Sequence, residues 1–228
     1  MRKILIKIFL LGILGASFSY GEILKIGLAT GVKNIGYTET HQFQSSLDKD
    51  FTEIAPSFGL DSTLYIFPHW LYVGFNTQYV GPVLSSSTTD EASFLRYSAF
   101  SGITIPARPF NLNIESEYYS DTISPNASTF GYEDMSGTRF SAIGDWLSKS
   151  GLTQITVKLP FFNTVEGRSD YMATLKFHFS APKGKLPPSL RQGMYLSFDY
   201  SSMTTTIPGT VEIEINNTEM GMNLGYNW

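Results

Sequence analysis

Histidine is scarce in this chain, so acid–base chemistry would have to start from His41, His69 or His178. His178 stands two residues before Ser180; on a strand the two side chains share a face, which puts an imidazole beside a hydroxyl. No acidic residue stands at a spacing that completes a triad with them. His41 is followed by Asp48 and Asp50, a set that could orient an imidazole or hold a cation, in a stretch whose composition equally describes a solvated loop. His69 sits beside Trp70 in an aromatic turn, most simply as an interfacial residue. There is no HExxH, no Gly-rich phosphate loop and no EF-hand pattern. With Cys 0, thiolate metal sites and disulfides are excluded. The sequence therefore assigns no catalytic residue, no metal site and no cofactor.

Pattern is strongest at the other extreme of the chain, in EMGMNLGYNW. Met220, Met222, Leu224, Tyr226 and Trp228 alternate with small or polar residues up to the last position. A strand so built has one apolar and one polar face. Chain ends fray unless something holds them, and a terminal indole is well placed at a membrane interface. This ending resembles the C-terminal signal of bacterial outer-membrane β-barrels. The resemblance implies recognition by the barrel-assembly machinery and a place among outer-membrane lipid and lipopolysaccharide.

The N-terminus points the same way. Arg2, Lys3 and Lys7, the apolar run from Ile8 to Leu14, and the small residues Ser17, Ser19 and Gly21 form the order of a secretory signal peptide. Residues 1–21 are expected to be removed, leaving 22–228 as one transmembrane barrel domain. The apolar run is short of the ~20 residues that a spanning helix requires, so any membrane crossing is by strands. Without those three basic residues, 13 of the 16 Lys and Arg remain against 20 Asp and Glu, a net charge near −7. Nucleic acid is an unsuitable partner for such a chain. Gly 20, Tyr 13 and Phe 17 suit strands, and a mean hydropathy near zero suits strands that alternate lipid-facing with lumen-facing residues.

Alternation then locates the strands. The first, from Glu22, puts Leu24, Ile26, Leu28 and Val32 outward, and Tyr37 to Asp50 follows as a polar loop. A second runs from about Glu53 to Tyr65, a third from Trp70 through Tyr79, a fourth through Leu95 to Ile105 and a fifth through Leu112 to Tyr118. Short turns at Ile66–Trp70 and at the paired prolines Pro106–Pro109 are periplasmic, and the stretch from Asp121 to Gly137 is external. Gly137 to Ser148 reads either as a strand or as a short helix in a long loop. Clean alternation returns at Leu152–Phe162, with Pro160 near its end, and again at Asp170–Ser180 and Met194–Tyr200. Apolar parity switches between Val211, Ile213 and Ile215 and the residues from Met220 on, which a bulge near Asn216 and Asn217 would explain. The expected fold is all-β, a closed antiparallel up-and-down barrel of about ten strands, with eight as the alternative. Ten places Trp70, Trp146 and Trp228 together as interface aromatics at the periplasmic end.

In this register the lumen receives Lys25, Lys33, Asp61, Arg96, Glu115, Glu117, Arg139, Asp145, Lys158, Asp170, Lys176 and Asp199, with Tyr65, Phe100, Tyr119 and Tyr195. Charges of both signs in a barrel this narrow are expected to pair and fill it, because a buried lone charge is costly. His178 and Ser180 are similar to the His-x-Ser motif of outer-membrane lipid A deacylases, but Ala181 and Pro182 stand where that motif continues with Asn, and both residues turn into the lumen at the periplasmic end. Ten-stranded outer-membrane proteases use an Asp-x-His pair that this sequence lacks. The expected function is a structural or surface-interaction barrel or a narrow porin-like channel. The rivals are a deacylase-like hydrolase and a secreted β-sandwich; oligomeric state is not legible.

Overall fold

A computed structural model of the chain describes residues 24–67, 70–84, 91–107, 110–124, 134–179, 193–207 and 212–228. The expected signal segment 1–21, His69 and Ser180 lie outside these residues. Ten antiparallel strands form one closed barrel: β1 (Leu24–His41), β2 (Lys49–Phe67), β3 (Leu71–Leu84), β4 (Glu91–Ala107), β5 (Phe110–Ser124), β6 (Met135–Leu147), β7 (Thr153–Asn163), β8 (Ser169–His178), β9 (Gly193–Ile207) and β10 (Ile213–Asn227). The segment left open in the sequence is a strand: β6 pairs with β5 from Asp121↔Met135 to Phe110↔Trp146 and with β7 on its other side. Eight strands are thereby excluded.

Closure is made by β10 against β1, in unbroken register from Gly27↔Asn227 to His41↔Ile213. Even the final residue takes part, Trp228 N–H donating to Ile26 C=O at 2.9 Å. No strand edge is left among the described residues, so alternate side chains face either the lumen or the outside.

Several expectations are corrected. The loop expected from Tyr37 to Asp50 shrinks to 42–48, because β1 runs on to His41 and β2 begins at Lys49. Asp121, expected in an external stretch, is a buried residue of β5. No bulge lies at Asn216 and Asn217, since both ladders of β10 are continuous there. Ile213 and Ile215 instead point inward, where Ile215 is 0% exposed. Register shifts occur elsewhere, at Tyr65/Phe67, Val80/Val83 and Phe140/Ser141. The last accommodates the region of Pro160, which forms part of β7.

These corrections have one cause: polarity reverses along the strands. Toward the end that holds Leu24 and Trp228, the outer face is apolar, carrying Leu28, Val32, Phe58, Leu112, Met222 and Leu224, while the lumen is charged. Toward the other end, the outer face carries Thr38, Thr40, Thr52, Glu214 and Asn216. There the lumen holds a cluster of Ile35, Tyr37, Phe51, Ala55, Val80, Phe94, Met135, Met203 and Ile215. Between the zones the outer face shows Tyr79, Tyr97, Tyr118, Phe140, Tyr171 and Tyr200, with the Tyr171 and Tyr200 hydroxyls 2.9 Å apart.

Closure is directly testable because the native chain has no cysteine. With cysteines at Leu28 and Tyr226, which face each other across β1 and β10, a short thiol cross-linker is expected to join the two positions in the folded protein. Leu28 paired with Met220 should remain unlinked, and linkage of that control instead would show a different register.

Candidate functional site in the barrel interior

The lumen at the level of the apolar belt is occupied by a chain of ion pairs that crosses from wall to wall. Lys33 of β1 donates to Glu219 of β10 at 2.7 Å, and Arg96 of β4 also reaches Glu219. Arg96 lies 3.7 Å from Asp121, which accepts from Arg168 at 2.6 Å. Arg168 and Arg139 share Asp170, each at 3.0 Å. Arg139 continues to Glu117 at 2.7 Å, and Lys158 closes the chain on Glu117 and Glu115, both at 2.6 Å. The far end is the Tyr72 hydroxyl, donating to Glu115 at 3.0 Å. The Tyr119 ring lies between two guanidiniums, 4.4 Å from Arg168 and 5.0 Å from Arg139.

Five cations (Lys33, Arg96, Arg139, Lys158, Arg168) meet five carboxylates (Glu115, Glu117, Asp121, Asp170, Glu219), so this layer is neutral. Removing so many charges from water is tolerable only because each finds a partner. Strand periodicity puts alternate residues of β5, Glu115, Glu117, Tyr119 and Asp121, on one inward row.

Nearer the termini a second polar layer is less tightly paired. Lys25 meets Asp61 at 3.0 Å. Asp145 accepts from the Asn113 amide at 2.9 Å and from Thr156, while Asp199 accepts from Ser197 at 3.1 Å and from Asn223. The Lys176 ammonium sits 4.7 Å from the centre of the Tyr195 ring. Gly225 makes room for that ring, since a Cβ there would overlap Tyr195. The Tyr65, Tyr72 and Phe100 rings pack together at this level. A cavity of about 410 Å³ lies within the lumen, lined among others by Lys33, Asp61, Arg96, Lys176, Asp199 and Glu219.

The structure places Lys33, Arg96, Glu115, Glu117, Arg139, Lys158 and Asp170 in the ion-pair layer, and Lys25, Asp61, Asp145, Lys176 and Asp199 in the second. Sequence reasoning missed Asp121, Arg168 and Glu219. Glu219 had a signal: it stands on the polar phase of the closing strand, opposite Met220. Arg168 had none, because it belongs to the turn before β8 and reaches back over the rim of the lumen.

His41 is not assembled with Asp48 and Asp50 as an imidazole site. Its ring pairs with Glu39, which also accepts from the Tyr37 hydroxyl at 2.7 Å, and the Asp48 carboxylate takes the His41 backbone N–H at 2.7 Å. Among the described residues no group of three His, Asp or Glu side chains is arranged to hold a metal ion. His178 is buried in the lumen, with the Gln154 amide oxygen at 3.3 Å and the Tyr195 ring beside it. The three tryptophans lie at the end of the barrel where the chain enters and leaves: Trp70 before β3, Trp146 late in β6 opposite Phe110, and Trp228 packed edge-on against Tyr226 with centroids 4.8 Å apart.

No protein-family model matches the chain, and no curated protein matches it in sequence. Solved structures that it resembles are outer-membrane β-barrels. The Escherichia coli outer-membrane protease OmpT is 10% identical, covering 91% of this chain and 97% of its own at a TM-score of 0.46. Neisserial surface protein A is 7% identical, covering 87% and 96% at 0.35. Ail, the attachment invasion locus protein of Yersinia pestis, is 14% identical, covering 90% and 98% at 0.33. Protease, surface protein and attachment protein stand side by side here, so the likeness says nothing of activity.

Lys33 and Arg96 converge on Glu219. Glu219→Ala leaves the buried Lys33 ammonium with a neutral amide oxygen, that of Gln78, and is expected to lower stability by about 3 kcal/mol. Urea unfolding in detergent micelles measures it. Adding Lys33→Met to that variant should recover at least half of the loss.

Proposed function

We propose that the protein is an outer-membrane β-barrel, closed to solute flow, whose work is done at the rim that projects from the membrane. The observation that carries the reading is the reversal of polarity along strands that are too long for a bilayer alone.

A tilted strand needs about 9–11 residues to cross the hydrocarbon. β1, β2 and β4 have 18, 19 and 17 residues. The apolar stretch of β10 with the residue after it, Met220 to Trp228, at ~3.4 Å per residue and a tilt of ~40° rises roughly 21 Å, close to the ~25 Å lipid-facing band of such barrels. Tryptophans at one border of this band and tyrosines at the other are what two interfaces select. Beyond the tyrosines the outer face turns polar, as expected of wall standing in water. The termini would lie on the periplasmic side, after export and removal of the leader.

Closure of the lumen is supported by the apolar cluster around Ile35, Tyr37, Phe51 and Ile215, which fills the projecting end. Below it the ion-pair layer is neutral and offers no surplus of one sign to select an ion. A narrow channel is the competing reading, favoured by the cavity of about 410 Å³ below that cluster and by the less tightly paired polar layer nearer Leu24 and Trp228, where Tyr65, Tyr72 and Phe100 pack on one wall.

Planar-bilayer recording separates the two readings. The wild-type barrel is expected to give a flat trace, and Tyr37→Ala combined with Phe51→Ala, which empties the projecting end, to give small discrete steps. Steps from the wild type would reject the closed-barrel reading.

A further inference from the structure

The described residues of the projecting rim carry exposed charge of one sign. Among the described residues its exposed ionisable side chains are Asp48, Asp50, Asp134, Glu166, Glu212 and Glu214. The basic residues at the same level are turned inward: the Arg168 side chain is 4% exposed between Asp121 and Asp170, and the Lys49 ammonium is buried. Sequestering the cations leaves an acidic ring around the mouth.

Among the described residues an exposed aromatic side chain stands up from this ring. Residues 42–48 join β1 to β2, and Phe43 in that connection is 90% exposed with φ at +69°. A bulky residue rarely adopts left-handed backbone, and burial does not reward it here, because the ring is almost wholly exposed. The connection is nevertheless held firmly. Gln42 N–H donates to Glu212 C=O at 2.9 Å, Asp48 Oδ1 takes the His41 N–H at 2.7 Å, and the single 3-10 turn Ser45–Leu47 is closed by Leu47 N–H on Gln44 C=O at 2.9 Å. Leu47, 50% exposed, adds a second apolar side chain. An exposed aromatic residue on a fixed support has the properties of a binding anchor, since its ordering cost is already met before contact.

The bilayer is not what Phe43 meets. It follows the end of β1 at His41, seven residues beyond Asn34 near the upper border of the apolar belt, a rise of roughly 18 Å along a tilted strand. Anionic headgroups would also be repelled by the acidic ring. Complementarity instead calls for positive charge around an apolar patch. We propose that Phe43 and Leu47, within this ring, dock a cationic amphipathic segment of a partner, its apolar face taking the two side chains and its Lys and Arg facing Asp50, Glu212 and Glu214. The inference rests on the reading of the rim as an interaction surface, but not on whether the lumen conducts.

The test uses the full-length barrel in nanodiscs of zwitterionic phosphatidylcholine, with binding to empty discs subtracted. Two fluorescein-labelled helical peptides of equal charge are compared by anisotropy, one of lysine and leucine with an apolar face and one of lysine and serine without. The lysine–leucine peptide is expected to bind about tenfold more tightly, and both should weaken as salt is raised. Phe43→Ser should abolish the preference while leaving the lysine–serine affinity and the thermal unfolding temperature unchanged. Asp50→Asn with Glu212→Gln and Glu214→Gln should weaken both peptides. Equal affinity for the two peptides, or a preference that survives Phe43→Ser, would overturn the proposal. A flat bilayer trace together with either of those results would leave the closed barrel standing without this docking site.

Discussion

Everything in the molecule depends on the hydrogen-bonded seam between its first and last strands. Fifteen register partners join β1 to β10, and the last N–H of the chain is used in the seam as well. An open sheet of this composition would expose a row of backbone amides and carbonyls that neither hydrocarbon nor a packed core could satisfy. Once the ribbon is shut, its two faces become an inside and an outside. The simple alternation of side chains is thereby converted into a radial sorting of the whole sequence.

Radial sorting by itself does not say which side is polar, and the strands give two answers at two heights. Within the belt the charged side chains are inside and must satisfy one another, which they do across strands far apart in sequence: Lys33 with Glu219, Arg168 with Asp121. Such pairs contribute little net stability compared with an apolar filling, yet losing a single member is costly. They make the lumen intolerant of partial change and fix opposite walls of the barrel at one spacing. Above the belt, where the wall would meet water, the interior becomes an ordinary apolar core centred on Ile35 and Ile215, and the outside becomes threonine, asparagine and glutamate. The projecting part is therefore stabilised as a soluble barrel is, and it gives the rim a rigid base.

The legibility of the sequence follows the same division. Within the belt, alternation marks both the strands and the facing of their residues, and even Gly137 to Ser148, ambiguous alone, shows its outward phase in Phe140, Ala142 and Trp146. Above the belt the rule inverts. Thr38 and Thr40 read as loop because their outward face is not apolar, and Ile213 and Ile215 suggest a bulge because their parity opposes that of Met220 and Met222. A strand that changes solvent halfway looks, in one dimension, like a strand that has ended or slipped. The real register shift at Phe140/Ser141 is marked in the sequence only by Pro160 on the facing strand. Charged residues on clean strands were legible as lumen residues; their partners Arg168 and Asp121 were not, because a turn residue and a strand end are placed by the closed ring rather than by local pattern. The left-handed backbone of Phe43 likewise has no sequence signal, since it is set by the short connection that the extended β1 and β2 leave between them.

The central claim is that these strands pass from hydrocarbon into water at the level of the outer tyrosines, and spin-label accessibility in bilayers measures it most directly. Single cysteines at Leu28 and Met222, below that level, and at Thr38 and Asn216, above it, would carry a nitroxide on the outer face of β1 and β10. The account predicts that the lower pair is relaxed by oxygen and shielded from a water-soluble nickel chelate, and that the upper pair shows the reverse. Nickel access at all four positions would contradict it, because the apolar belt would then face water or a second protein surface instead of lipid.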